Sequence, residues 1–331
     1  MSTPPSTPVV PAPSPGALPG PSLVGPPGGA EGRVSGAARD AHRRLSSPWA
    51  SFGAVVVAVL WTVPTLGLFV SSFRPEADVK GSGWWTFFSS PDVTLDNYRA
   101  VLTGADTDLA TFFVNSLVIT LPSVLIPITL ASVAAYAFAW MRFRGRDLLF
   151  VAVFAMQVVP IQVTMIPLLT LYVTPPFGLP SLAGPNAPGG GFWTIWLSHT
   201  IFALPLAIYL LHNFMREIPQ EIVESARVDG AGHVRIFVQI MLPLMRPAIA
   251  AFGIFQFLWV WNDLLVALVF GGGNLDVSPL TVRLAELSGT RGADWHLLSA
   301  GAFVSLVVPL VVFLSLQRFF VRGLLAGSVK G

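Results

Sequence analysis

Three side chains stand out in an apolar stretch of the C-terminal third. Gln256, Trp259 and Asp263 are spaced i, i+3 and i+7, with Trp261 and Asn262 beside them. On one continuous helix that spacing puts them on a single face. A carboxylate at membrane depth is costly, and it faces a cavity or a partner. Indole rings can stack on sugar faces while amide and carboxylate groups accept from hydroxyls. Gln256, Trp259, Asn262 and Asp263 are therefore candidate substrate-path residues. Interfacial anchoring and helix-to-helix hydrogen bonding account for the same residues equally well. Asn115-Ser116 reads as glue between helices. His199 and His212 are isolated, with no second ligand four residues on, so no metal site is expected. No Ser-His-Asp or paired-carboxylate arrangement can be assembled, so there are no catalytic candidates. Gly271-Gly272-Gly273-Asn274 is not a phosphate loop, because no Gly-Lys-Ser/Thr follows it.

The elements that must position these residues are membrane spans. Apolar residues make up 53% of the 331-residue chain and charged residues only 11%, against roughly 25% charge in a soluble domain. There is no cysteine, which excludes a disulfide framework and a thiolate metal site. A span needs about 20 apolar residues. Six stretches qualify: about 50–73, 111–140, 148–173, 193–215, 247–270 and 297–321. Pro64, Pro122, Pro127, Pro160, Pro167 and Pro205 fall inside them, which a bundle tolerates because neighbours or water satisfy the freed carbonyls. The stretch 111–140 exceeds one straight span, so tilt or a kink at Pro122 or Pro127 is expected. Residues 1–48 are rich in Pro, Gly, Ser and Ala; they read as a disordered tail and not as a cleaved signal peptide. The fold class is thus all-α, a polytopic domain over 49–331.

Basic residues set the orientation. Arg43 and Arg44 precede the first span, Arg142, Arg144 and Arg146 follow the second, Arg216, Arg227, Arg235 and Arg246 lie in the 216–246 loop, and Arg318, Arg322 and Lys330 lie in the tail. Both termini and that loop are therefore expected on the cytoplasmic side of a plasma membrane. The outer loops carry Trp84, Trp85, Phe87 and Phe88, which read as an interfacial helix or aromatic belt.

The 216–247 segment is the longest charged and amphipathic stretch. Pro219 suits a helix start, Asp229-Gly230 a stop near Val228, since Gly takes the left-handed conformation that closes a helix. A second short helix is expected, with Val234, Phe237, Val238 and Met241 on its apolar face, ended by Leu242-Pro243. Glu224-Ser225-Ala226, then Gly230, then Ile240-Met241-Leu242-Pro243 resembles, at the same spacing, the EAA loop of the permease subunits of bacterial ABC importers. The one departure is Ser225 for the first Ala. In that family the loop sits in a cleft of the ATP-hydrolysing subunit, so the resemblance implies ATPase coupling through Glu224, Ser225, Ala226, Asp229, Gly230, Ile240, Leu242 and Pro243.

The resemblance runs from about residue 112 to the end, with a core at about 112–320. The tail from Gln317 to Gly331 is similar to carbohydrate permeases of the maltose and α-glucoside type, and Thr281 to Leu287 looks closest to the α-glucoside branch. Carried over, Gly323, Gly327 and Lys330 would touch the ATPase dimer. The resemblance implies a type I importer permease fold and a non-enzymatic subunit that moves a sugar. ATP and Mg would be bound by partner ATPase subunits, with no cofactor in this chain. The other implied partners are a sister permease, an extracytoplasmic sugar-binding protein and the lipid bilayer; no nucleic acid is implied. The competing readings are a stand-alone secondary transporter, which needs an embedded carboxylate pathway, and a membrane enzyme such as a glycosyltransferase, which needs an acidic catalytic cluster.

Overall fold

The structure, a computed structural model, describes residues 48–104, 108–184, 187–289 and 292–328, with side chains as far as 317. The tail expected to be disordered, apart from Pro48, lies outside the described residues. The chain divides into two units, residues 1–64 and 65–331. In the first, the described part is helical and apolar on all sides, and Thr62 Oγ1 donates to Ala58 O at 2.7 Å. It belongs to helix α1 (Pro48–Ser72), which is interrupted by no charge.

In the second unit the elements are α2 (Glu76–Gly81), a 3-10 turn at Trp84–Phe88, α3 (Asp96–Thr103), α4 (Leu109–Trp140), α5 (Arg146–Val158), α6 (Ile161–Val173), α7 (Phe192–Arg216), α8 (Gln220–Val228), α9 (His233–Leu244), α10 (Arg246–Trp261), α11 (Leu265–Phe270), α12 (Leu280–Ser288) and α13 (Trp295–Ser328). No strand occurs among the described residues. Four described helices are long and apolar enough to cross a membrane, and two bent pairs raise the number to six if each pair is one span. The fold is all-α, as expected.

The spans depart from the sequence reading in two places. The third is not one straight helix: α5 and α6 meet at 104°. Pro160 has no N–H and disfavours helical backbone at the residue before it, and Val159 adopts φ −72°, ψ 121°. The fifth is α10, which meets α9 at 70° and stops at Trp261 instead of running on to 270. By contrast Pro122 and Pro127 sit within uninterrupted α4, whose 32 residues extend about 48 Å at about 1.5 Å each. That exceeds a hydrocarbon core of about 30 Å.

Helix α4 packs along α7, and α10 packs against both α4 and α13. Small residues make the first contact close: Ala131, Ala135, Ala203 and Ala207 are all buried. Gly301 serves α13 in the same way, since a Cβ there would lie 2.8 Å from Leu284 Cδ2 and 3.0 Å from Leu109 Cδ2. Polar side chains then fix the register. Asn115 Nδ2 donates to Asp276 O (2.9 Å) and Ser278 O (3.1 Å), and Ser116 Oγ accepts from Leu280 N (2.8 Å). Trp261 Nε1 donates to Ser305 O at 3.1 Å. The glue role expected for Asn115-Ser116 is what the geometry has.

Before α4, buried Asn97 donates to Ser72 O (3.0 Å) and Arg74 O (2.8 Å), capping the chain as it leaves α1. Arg74 is itself buried, donating to Ser82 Oγ (2.7 Å) and Thr86 Oγ1 (3.1 Å). These bonds lock α2 and the aromatic 3-10 turn onto the end of α1. They leave Trp85 and Phe88 exposed, as an interfacial aromatic pair requires.

Candidate functional site

The 216–246 loop is built on two inward anchors. Along α8, Val223 and Ala226, three residues apart, are buried against Leu211, Met215 and Ile236. The opposite face is free: Ile222, Glu224, Ser225, Arg227 and Val228 are exposed, Val228 to 87%. The helix ends as the Gly predicts. Ala231 N donates to Ala226 O (2.9 Å) and Gly230 N to Arg227 O (3.0 Å), the paired bonds of a Schellman motif. Gly230 has φ +80°, and a Cβ there would meet nothing within 4 Å. Glycine is therefore required by backbone conformation and not by space. Asp229 and Gly230 form an exposed elbow.

The second half differs from the expected short helix. Residues Phe237–Met241 form a π-turn within α9. Five residues per bond shift the neighbour on a face from i+4 to i+5, so Ile236 and Met241 are the buried pair. Val234 and Val238, expected to share one apolar face with Met241, are 79% and 52% exposed, while Met241 is buried. Ile240, Leu242 and Pro243 are half-buried. Leu242-Pro243 does not end the helix; the run continues to Leu244 and bends before α10. Pro243 lacks an N–H, and the wider turn ahead of it takes up the misfit.

Two local contacts were not visible in the sequence. Glu224 Oε1 accepts from Gln220 Nε2 at 2.6 Å. Glu224 does not pair with its i+3 neighbour Arg227: no ion pair of Arg227 occurs among the described residues. Tyr136 on α4 is 3.0 Å from His233 Nδ1 through its hydroxyl, and its ring lies 5.2 Å from that of Phe237. This pin ties the start of α9 to α4. No spacing signal links residues 97 apart, so only the fold reveals it. Ser225 Oγ donates back to Ile222 O (3.1 Å), the mild helix-weakening bond expected of Ser at that position.

The substrate-path residues do not share one face. Gln256 is buried and donates to Ser123 O (3.3 Å), bracing α10 on α4. Trp259 is 40% exposed and packs edge-to-face with Phe255. The helix ends at Trp261, and Asn262 bonds back to Leu258 O (2.8 Å). Asp263 therefore lies on the break and not on the Gln256–Trp259 face. Its Oδ2 accepts from Ala267 N (3.1 Å) at the start of α11 and stands 3.8 Å from His199 Nε2. Its carbonyl accepts from Thr281 Oγ1 (2.6 Å). Asp263 is thus a joint between α7, α11 and α12. No group of three metal-ligating side chains occurs among the described residues. Gly323 and Gly327 are in the helical backbone of α13, whereas Lys330 lies outside the described residues.

This arrangement presents an exposed elbow at the end of a helix bundle. Residues 127–325 match the family of binding-protein-dependent transport system inner membrane components. The chain is 52% identical over 280 residues to an osmoprotective compounds uptake permease protein of Synechocystis sp., covering 83% of this chain and 90% of that protein. It is 52% identical over 272 residues to an alpha-glucoside transport system permease protein of Rhizobium meliloti, covering 82% and 70%. A chain from the crystal structure of a bacterial ABC transporter that imports alginate aligns with TM-score 0.63 at 17% identity, covering 86% of this chain and 99% of that one, and shares the fold. With a helix bundle of this topology and a Gly-closed elbow in its matched region, the chain belongs to the binding-protein-dependent transport system inner membrane component family.

Proposed function

We propose that this chain is one of two permease subunits of an ATP-driven importer for an α-glucoside or a related oligosaccharide. A separate pair of ATPase subunits binds ATP and Mg, a sister permease completes the channel, and a sugar-binding protein delivers substrate from outside. Both termini and the 216–246 loop face the cytoplasm of a bacterial cell. Closure of the ATPase pair pushes on α8 and α9, and the buried anchors Val223, Ala226, Ile236 and Met241 carry the push into α4 and α7. The bundle then opens outward to receive sugar, and hydrolysis resets it. The α-glucoside relative supports the substrate class, and the arginine-rich inner loops support the orientation.

The observation that carries this reading is the outward apolar face of the elbow, with Val228 and Val234 both more than three-quarters exposed beside exposed Glu224. Apolar groups so placed fit a protein cleft better than water. Val228→Asp with Val234→Asp tests it, since neither side chain supports the fold. The complex should lose its ATPase subunits on purification while the permease inserts at normal level. Undiminished co-purification and uptake would remove the elbow as the docking element.

A further inference from the structure

We propose that the crevice where α5 meets the C-terminal end of α7 binds the phosphate of an anionic phospholipid of the cytoplasmic leaflet. A cavity of about 190 Å³ there is lined by Arg146, Asp147 and Phe150 from α5 and by His212 and Arg216 from α7. His212 is 7% exposed, and its ring is 4.3 Å from that of Phe150, making a rigid floor. A second, more open hollow of about 400 Å³ shares Arg146 and Asp147 and adds Arg142. The two linings bring together three arginines and a single carboxylate. Asp147 accepts from Arg146 Nε at 2.9 Å, yet its side chain is 86% exposed, so it screens one edge of one guanidinium. No ion pair reaches Arg142 or Arg216 among the described residues.

The neighbourhood selects a lipid over a free anion. Leu148 and Val151, on the same helix as Arg146, are 76% and 61% exposed. An apolar face beside a basic crevice matches acyl chains below a phosphate headgroup. Basic crevices between helices on the cytoplasmic side are where anionic headgroups settle. The site rests on the orientation proposed above, but its chemistry can be tested independently of it.

The experiment is native mass spectrometry of the assembled transporter released from nanodiscs of equimolar phosphatidylglycerol and phosphatidylcholine. Both leaflets of such discs have the same composition, so failure to bind counts against the crevice alone; thiol labelling of intact cells reads orientation separately. The wild-type complex should retain phosphatidylglycerol in preference to phosphatidylcholine, also in excess inorganic phosphate. Arg146→Gln with Arg216→Gln should lower that retention about 30-fold, whereas Arg99→Gln, at an exposed position of α3, should not. Equal retention of the two lipids by the wild type, complete displacement by inorganic phosphate, or equal losses in the crevice and Arg99 variants would overturn the proposal. If the double variant fails to assemble, the wild-type lipid preference decides.

Discussion

Replacing Gly230 separates backbone conformation from every other role of the elbow. The residue has φ +80°, and a Cβ there would meet no atom within 4 Å. The first cost of Gly230→Val is therefore that of a left-handed conformation. That cost is about 1–2 kcal/mol for an ordinary L-residue and more with a branched Cβ. A shift of about 2 kcal/mol changes a local equilibrium about 30-fold, enough to abandon the bonds from Ala231 N to Ala226 O and from Gly230 N to Arg227 O. The C-terminal turn of α8 would fray and α9 would leave at another angle, while Val223 and Ala226 stay buried. Gly230→Asn keeps the bonds, because Asn adopts this conformation readily. The assay is sugar-stimulated ATPase activity and uptake by the assembled complex. Val should reduce coupled uptake at least tenfold with normal membrane insertion, and Asn should retain most of it. Equal activity of the Val and Asn variants would refute the conformational argument.

Other consequences can be measured separately. Glu224→Gln should weaken ATPase-subunit co-purification, by about 2–5 kcal/mol if a charged partner meets it in the cleft; Arg227→Ala should be mild, and equal small effects would reduce Glu224 to a surface charge. Tyr136→Phe should lower the melting temperature modestly, through loss of a bond to His233 worth about 0.5–1.5 kcal/mol, and should impair coupling more than folding. Asn97→Ala strands two buried carbonyls, Ser72 O and Arg74 O, at about 1–3 kcal/mol, so its detergent-solubilised melting temperature should fall clearly below that of Arg99→Ala. Since the chain has no cysteine, single cysteines at Phe177 and Gln220 can be labelled with an impermeant thiol reagent on intact cells; position 177 should react and 220 should not, and the reverse pattern would invert the proposed topology.

The elbow was legible in the sequence because its cause is local. A helix that ends where the chain must turn left-handed needs glycine, and Gly230 stands there whatever surrounds it. The spans were legible for a similar reason, since about 20 apolar residues can do little else. What escaped depended on contacts or on departures from period 3.6. Val234 and Val238 were placed on one face with Met241 because the period assumed an α-helix, whereas the π-turn at Phe237–Met241 changes the count. Asp263 was placed on a face with Gln256 because nothing between them signals a break. At the break the Asp263 carbonyl accepts from Thr281 Oγ1 and its Oδ2 from Ala267 N, contacts that no helical spacing announces. Pro160 was read as tolerable within the third span, whereas α5 ends just before it and α6 leaves at 104°. Glu224 turned backwards to Gln220 and not forwards to Arg227, because both are neighbours on a helix and the sequence does not rank them.

We propose that this chain moves sugar only when partner subunits spend ATP through the 216–246 loop. The most direct test is uptake of a labelled α-glucoside into proteoliposomes containing this chain with its sister permease, ATPase subunits and binding protein. Uptake should require ATP and the binding protein, vanish when the ATPase subunits are omitted, and ignore imposed proton or sodium gradients. Uptake by the chain alone, driven by an ion gradient without ATP, would contradict the account.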